Sequence, residues 1–297
     1  MDFLTRFVPG RVGIDPRPSQ MSRIGLTFEI GYLTLFPIYL LSFCFLKPSY
    51  TFFCHFMRVE PFLLTFGKTE VQLKVDLSDI GVVIPAFNAE KTIGNIVKEL
   101  LVYGFKKKSI IVVNDGSNDR TDEVVTKLGL SIVTHNKNMG KGAALKHGFC
   151  AARTRNLKNV FTLDADGQHK VSEIKDFLKL KGHYDLIIGL RNNVVNMPFL
   201  RRIVNRMTSL VISLLSKEYV PDVQCGFRYI NLKIFNKVRL KTNNYQTESE
   251  IVIKAVRNRY RIGFVPISTV YSNEKSYINP FIDTIRFIKM AIGFLWR

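Results

Sequence analysis

Cysteine is scarce. The four present, Cys44, Cys54, Cys150 and Cys225, show no CxxC or Cys/His zinc spacing and are too few and too scattered to staple a chain of 297 residues. A disulfide framework and a thiolate metal centre are thereby excluded. A reducing compartment fits, with Cys150 and Cys225 read as small buried hydrophobes. Tryptophan occurs once, as Trp296, and there is no internal repeat or low-complexity tract. Acid is also in short supply, with 24 Asp/Glu against 43 Lys/Arg and a net charge of +19. Residues 1–79 carry 8 Lys/Arg against 7 Asp/Glu and the remainder 35 against 17, so the positive field belongs to the second segment. Such a field favours nucleic acid, anionic lipid or phosphorylated small molecules. Hydrophobic content of 46% against 23% charged residues is ordinary globular usage, which argues against a disordered chain.

What is present divides at about Asp79. Ile24 to Leu46 has a single charge, Glu29, and is long enough to cross a bilayer, although Glu29 and Pro37 weaken that reading. It is too long for a signal-peptide core and lacks a small-residue cleavage site. Phe52 to Phe66 is apolar but interrupted by His55, Arg58 and Glu60. Arg6, Arg11, Arg17 and Arg23 would hold the N-terminus in the cytoplasm, and a single crossing would then export everything after it. A re-entrant or two-pass hairpin, a segment lying on the membrane, or an accessory extension all avoid this, and the sequence leaves these alternatives open. The expected organisation is a hydrophobic extension over 1–79, an α/β domain over 80–275 and a C-terminal amphipathic helix over 276–297.

After Asp79 short apolar runs alternate with helical patterns. Strands are expected at Ile80–Ile84, Ser109–Val113, Leu130–Thr134, Val160–Leu163 and Asp185–Ile188. Helices are expected at Glu90–Tyr103, up to Leu128, at Lys141–Arg153 and near Val171–Leu180. Strands separated by helices indicate βαβ units, hence a mostly parallel sheet with helices on both faces. Ligands of such sheets bind beyond the carboxyl ends of the strands, which is where polar residues should be sought.

Three strand ends carry them: Pro85-Ala86-Phe87-Asn88-Ala89-Glu90, Asn114-Asp115-Gly116-Ser117-Asn118-Asp119 and Asp164-Ala165-Asp166-Gly167-Gln168-His169. Two carboxylates two residues apart, leaving a strand, suit one hard divalent cation such as Mg²⁺ or Mn²⁺, which prefers oxygen ligands and keeps positions open for phosphate oxygens. A DxD alone reads more readily as a solvated acidic turn; the other two loops at the same edge give the metal reading weight. Gly167 falls at position 4 and no Glu closes a 12-residue loop, so this is no EF-hand. Asn138-Met139-Gly140-Lys141-Gly142 opens a helix, where free amides and a lysine suit a phosphate. It is not a P-loop, because His135 stands in place of the first glycine and Gly142 in place of Ser/Thr. Leu145 at the third-glycine position excludes a Rossmann fingerprint. His135, His147 and His169 have no partner at metal-ligand spacing and read as surface or packing residues.

With Val83-Ile84-Pro85, Ile188-Gly189-Leu190-Arg191, Arg201-Arg202-Ile203-Val204-Asn205 and Asp222-Val223-Gln224-Cys225-Gly226-Phe227-Arg228 following in order, residues 80–275 resemble the family 2 glycosyltransferases of GT-A fold. The subgroup resembled is the dolichol-phosphate mannose synthase-like enzymes and polyprenyl-phosphate glucosyltransferases. The resemblance implies that Asp115, with Pro85, Phe87, Asn88 and Glu90, holds the nucleoside. It implies that Asp164 and Asp166 bind Mg²⁺ or Mn²⁺ with Gln168 near the metal, and that Arg191, Arg202 or Arg206, and Arg228 gather phosphates. Asp222 and Glu250 would lie near the acceptor. Asn114 in place of the commoner aspartate and Leu190 in place of a commoner serine depart from the family pattern.

The implied reaction is transfer of a hexose, with inversion, from a nucleotide-sugar (GDP-mannose or UDP-glucose) to a polyprenyl or dolichyl phosphate at the cytosolic membrane face. The metal together with Lys141 or an arginine would neutralise the leaving diphosphate. A lipid phosphate, with a second pKa of about 6, is already anionic and needs positioning more than a base. A hydroxyl acceptor, on a glycan or small molecule, would instead need Asp222 or Glu250 as general base. Basic amphipathic patterns at Pro198–Ser216 and Phe281–Arg297 suit a headgroup interface. A processive polysaccharide synthase is disfavoured by the lack of a QxxRW-type motif. A nucleic-acid-binding protein would explain the charge but not the acidic clusters at strand ends.

Overall fold

The computed structural model describes residues 76–191, 199–268 and 280–295. The apolar stretches Ile24–Leu46 and Phe52–Phe66, and Trp296, lie outside the described residues. Seven strands form one sheet: β1 Ile80–Ala86, β2 Ile110–Asn114, β3 Ile132–Thr134, β4 Asn159–Thr162, β5 Leu186–Arg191, β6 Arg228–Asn231 and β7 Ile262–Ile267. The helices are α1 Ile93–Tyr103, α2 Thr121–Lys127, α3 Lys141–Thr154, α4 Ile174–Lys179, α5 Phe199–Ser216, α6 Gln246–Arg257 and α7 Pro280–Leu295. The strand order is β3-β2-β1-β4-β6-β5-β7. All neighbours run parallel except β6, which is antiparallel to both β4 and β5.

The continuous Val/Ile runs of β1 and β2 are buried on both faces, as a parallel central sheet requires. β1, β2 and β3 step outward in one direction, and α3 then carries the chain back across to β4 on the other side of β1. Right-handed crossovers therefore place α1 and α2 on one face and α3 on the other. The inner face of α3 is built from Gly142, Ala143, Ala144, Gly148 and Ala152, whose small size lets the helix lie close on the strands.

This topology decides where the polar loops meet. β1, β2, β4 and β5 share a direction, so the residues after Ala86, Asn114 and Thr162, and Arg191 itself, all emerge at one edge. β6 runs the other way with Thr162 opposite Arg228, which brings the 222–228 segment to the same edge from its N-terminal side. One antiparallel strand thus unites two motifs that are distant in sequence.

Several expected boundaries shift for local reasons. α1 begins at Ile93 rather than Glu90, because Ala89 N–H donates to Thr121 Oγ1 (2.9 Å) and Asn88 takes a left-handed φ of 51°, locking the preceding turn. The helix expected near 171–180 is a 3-10 turn, Val171–Glu173, followed by α4. Cys150 is exposed, not buried as expected, since it falls on the outer side of α3, whereas Cys225 is buried. β6 inside the sheet, β7 at its edge and the helix α6 between them in sequence were not anticipated from the sequence. Among the described residues no helix is long and apolar enough to cross a membrane.

Candidate active site

The loops after β1 and β2 are sewn together. Asn88 N–H donates to Ser117 Oγ (2.9 Å), Asn88 Oδ1 accepts from Asn118 N–H (2.9 Å), and Glu90 Oε2 accepts from the backbone and side chain of Arg120 at 3.1 and 3.2 Å. Asn114 explains its own departure from the family pattern. Its Oδ1 caps Ser117 N–H (2.9 Å) while its Nδ2 donates to Asp122 Oδ1 at 2.7 Å, a contact in which an aspartate would set two carboxylates against each other.

Asp115 is buried, and its carboxylate is used by the fold. Oδ1 accepts from Met139 N–H (2.8 Å) and lies 2.7 Å from His135 Nδ1, and Oδ2 accepts from Gly140 N–H (2.8 Å). In this structure the Asp115 oxygens strap the 138–142 turn to the end of β2. His135, read from the sequence as a packing residue, extends the strap, its Nε2 lying 2.7 Å from Nδ1 of His147. The turn enters α3 through Gly140 at φ 96°, where a Cβ would sit 2.4 Å from Asn244 Oδ1, so glycine is required on both counts.

Lys141, the first residue of α3, points across this edge. Its Nζ lies 2.7 Å from Asp164 Oδ1 and 3.2 Å from Glu248 Oε1, with all three side chains largely buried. Burial alone would depress the lysine pKa, but Asp164 and Glu248 outweigh it and hold the ammonium above its usual value. Asp164 is held below the usual carboxylate range: burial opposes this, and Lys141, His169 and Arg228 prevail. Glu248 goes the other way, its burial outweighing the attraction of Lys141 and Arg228. Burial pushes His169 down to about 4, although Asp164 pulls it up, so its ring is neutral at physiological pH. Its Nδ1 is buried without a hydrogen-bond partner among the described residues.

The turn after Asp164 is compact, with Gln168 N–H donating to Asp166 Oδ1 (3.0 Å) and Gly167 at φ 72°. The fit of Asp164, Asp166 and Gln168 to a divalent cation is judged on two observations. A positive group already sits 2.7 Å from Asp164 Oδ1, in the form of the Lys141 ammonium. The carboxylate itself fills space that a Cβ on Gly226 would occupy, 2.3 Å from Asp164 Oδ2. Among the described residues no group of three or more His, Cys, Asp or Glu side chains that could by itself hold a metal ion is found. Asp164 and Asp166, with the Gln168 amide, would offer a divalent cation hard oxygens of the kind Mg²⁺ or Mn²⁺ takes, with positions left for water or phosphate. The residues fit.

Arg191 and Asp222 form a buried bidentate pair, Nε to Oδ2 at 2.7 Å and Nη2 to Oδ1 at 2.9 Å. Asn205 of α5 completes it, donating to Asp222 Oδ1 (3.3 Å) and accepting from Arg191 Nη2 (3.2 Å). Arg202 lies one turn before Asn205 on α5, and exposed Arg206 follows it.

Arg228 and Glu250 are both engaged by the fold. Arg228 Nε, Nη1 and Nη2 donate to the backbone oxygens of Cys225 (2.8 Å), Glu248 (2.8 Å) and Val223 (2.6 Å). It contributes buried charge and holds the 223–225 segment against α6. Glu250 is held on several sides. Its oxygens accept from Lys241 N–H, Thr242 N–H, Thr242 Oγ1 and Lys254 Nζ, and although burial would raise its pKa, these contacts hold it low. Residues two apart on a helix face about 200° apart, so only one of the two glutamates reaches the site. That one is Glu248, which the sequence reading passed over. The i,i+4 pairing of Glu250 with Lys254 was the available signal that Glu250 was already committed.

Comparison with known proteins identifies the family. The family described as Glycosyl transferase family 2 matches residues 81–245. An uncharacterized protein of Methanocaldococcus jannaschii is 36% identical over 207 residues, covering 67% of this chain and 84% of its own length. The UDP-N-acetylglucosamine–dolichyl-phosphate N-acetylglucosaminyltransferase of Methanococcus voltae is 32% identical over 219 residues, covering 65% of this chain and 86% of its own. Among solved structures, glucosyl-3-phosphoglycerate synthase from Mycobacterium tuberculosis, in complex with Mn²⁺, uridine diphosphate and phosphoglyceric acid, superposes with a TM-score of 0.56 at 19% identity, over 73% of this chain and 76% of that one. At that identity the likeness speaks for the fold. The chain belongs to glycosyl transferase family 2, and it is a glycosyltransferase with a GT-A-type sheet.

Proposed function

We propose that this enzyme transfers a hexose from a nucleotide-sugar to the phosphate of a polyprenyl or dolichyl lipid, with the donor diphosphate held at the Asp164–Asp166 turn. The observation that carries the choice of acceptor is the state of the carboxylates. Both groups considered as a general base are engaged: Asp222 by the bidentate grip of Arg191, and Glu250 by Lys254, Thr242 and two amides. A carboxylate so engaged is poorly placed to take a proton from a hydroxyl. A phosphate acceptor, already anionic, needs none removed. The acceptor named in the Methanococcus voltae relative is also a dolichyl phosphate.

On this reading a divalent cation held by Asp164, Asp166 and Gln168 would supply positive charge to the donor diphosphate. Lys141 lies beside the same oxygens and adds a second positive charge where negative charge develops on the leaving group. Asp222 fixes the plane of Arg191, and Arg191 with Arg202 and Arg206 orients the acceptor phosphate for attack. Pro85, Phe87, Asn88 and Glu90 line the nucleoside side, and Asp115 shapes it through the 138–142 turn.

A lipid acceptor requires a membrane surface, and α7 supports one. Met290, Ala291 and Phe294 pack inward, while Phe281, Ile285, Ile288, Ile292 and Leu295 recur every three or four residues and stay exposed, Phe281 at 76% and Leu295 at 70%. Ile203, Val204 and Leu214 of the neighbouring α5 are exposed as well. An apolar stripe flanked by Arg286 and Lys289 suits an anionic headgroup layer. The expected geometry is a catalytic domain resting on the cytosolic face.

Three outcomes are expected. With labelled GDP-mannose or UDP-glucose and Mn²⁺ or Mg²⁺, label should enter polyprenyl phosphate but not polyprenol, and Asp166→Ala should abolish transfer while retaining the wild-type circular dichroism spectrum. Label in polyprenol, or full turnover by the variant, contradicts the acceptor or the metal assignment respectively. Arg191→Lys, chosen because Arg191→Ala would strand a buried Asp222 at a penalty of about 3–5 kcal/mol, should raise acceptor KM roughly tenfold or more and leave donor KM within about twofold. The opposite split would remove Arg191 from the acceptor side. Ile288→Asp/Ile292→Asp should lose co-sedimentation with phosphatidylglycerol vesicles yet retain transfer to a short-chain, water-soluble prenyl phosphate. Undiminished vesicle binding would refute the docking face.

A further inference from the structure

Three side chains from three elements meet in the site with no role yet in the reaction sufficient to explain all three. Lys141 opens α3, Asp164 leaves β4 and Glu248 lies in the first turn of α6. The ammonium spans both carboxylates, 2.7 Å from Asp164 Oδ1 and 3.2 and 3.3 Å from the two oxygens of Glu248. We propose that Lys141 is a displaceable cation: it neutralises Asp164 while no divalent ion is bound and passes to Glu248 when one is, so that the Lys141–Glu248 pair sets the affinity of the site for the ion. The inference rests on the reading of Asp164 and Asp166 as metal ligands.

The argument is one of charge and room. A divalent ion on Asp164 cannot share that oxygen with an ammonium already at hydrogen-bond distance, because like charges so close repel strongly in a partly dry site. The ammonium is itself too buried to be released without another anion. Glu248 supplies that anion, is already in contact, and lies even deeper than Asp164. Its placement is fixed at the backbone, since Arg228 Nη1 donates to Glu248 O at 2.8 Å and holds the start of α6 at the site. The Tyr245 ring, with its centroid 6.0 Å from Nζ, offers the ammonium a further soft contact on the α6 side. On its other side the Asp164 carboxylate packs against Gly226, where a Cβ would stand 2.3 Å from Oδ2. A lysine with two anions and a metal competitor thus has one direction in which to go. Once displaced, it remains within the site to meet the donor diphosphate.

The test is a titration of the full chain with Mn²⁺ alone, read by the electron paramagnetic resonance signal of the free ion, so that no turnover is involved. Asp166→Ala serves as the control for the metal site. Lys141→Met should tighten Mn²⁺ binding by about tenfold, and Glu248→Gln should weaken it by about threefold or more, since Lys141 then has only Asp164 to hold. In the Lys141→Met background the Glu248→Gln change should shrink by at least about threefold. The double variant removes one charge of each sign and so also serves as the folding control. Unchanged or weaker binding by Lys141→Met overturns the proposal, as do equal fold-changes from Glu248→Gln in both backgrounds, which would make Glu248 a plain negative charge. Failure of Asp166→Ala to alter Mn²⁺ binding would instead sink the metal reading itself, and the two failures are thereby told apart.

Discussion

The ammonium of Lys141, shared between Asp164 and Glu248, is the contact on which the site is organised. It joins the start of α3, the end of β4 and the first turn of α6, and it lets two carboxylates sit together in a largely buried place. Without a cation there, burial and mutual repulsion would force one of the acids to take up a proton. The strap from Asp115 to the 138–142 turn sets where α3 begins, and therefore where Lys141 starts. Arg228, spending its donors on three backbone oxygens, adds a second buried positive charge behind the acids. The site is a balance of charges arranged before any substrate arrives.

The arginine side of the edge follows the same logic. Arg191 and Asp222 are nearly fully buried, and a bidentate pair with Asn205 as a third partner leaves the guanidinium plane little freedom. Buried pairs of this kind add little net stability, because desolvation offsets most of the attraction. Their use here is orientation. A carboxylate that in another arrangement would serve as a base is here bound to a cation, which is what the proposed charged acceptor calls for.

Much of this was legible in the sequence where local pattern and global fold agree. The first four parallel strands centre on Val, Ile or Phe, and the loops after β1, β2 and β4 carry the polar motifs, so position and chemistry could be read together. Legibility ended where context overrides pattern. β6 is only four residues long, and its antiparallel direction is set by partners on both sides. α6 buries Thr247, Glu248, Ser249 and Glu250 beside Ile251, Val252 and Ile253, which blurs the helical period. β7 contains Gly263 and Pro266, residues that argue against a strand and are tolerated here because β7 is the sheet edge. The contacts of Glu250, Glu248 and Arg228 were illegible for the same reason: residue type is visible in a sequence, but the backbone groups that claim a side chain are not.

The most direct test of the account is a crystal of the enzyme soaked with a nucleoside diphosphate and Mn²⁺, with diffraction recorded near the manganese absorption edge. The account predicts an anomalous peak between Asp164 and Asp166, touching the diphosphate, with Lys141 moved off Asp164. Nucleotide bound with no peak at that turn, or a peak there with Lys141 still paired to Asp164, would contradict it.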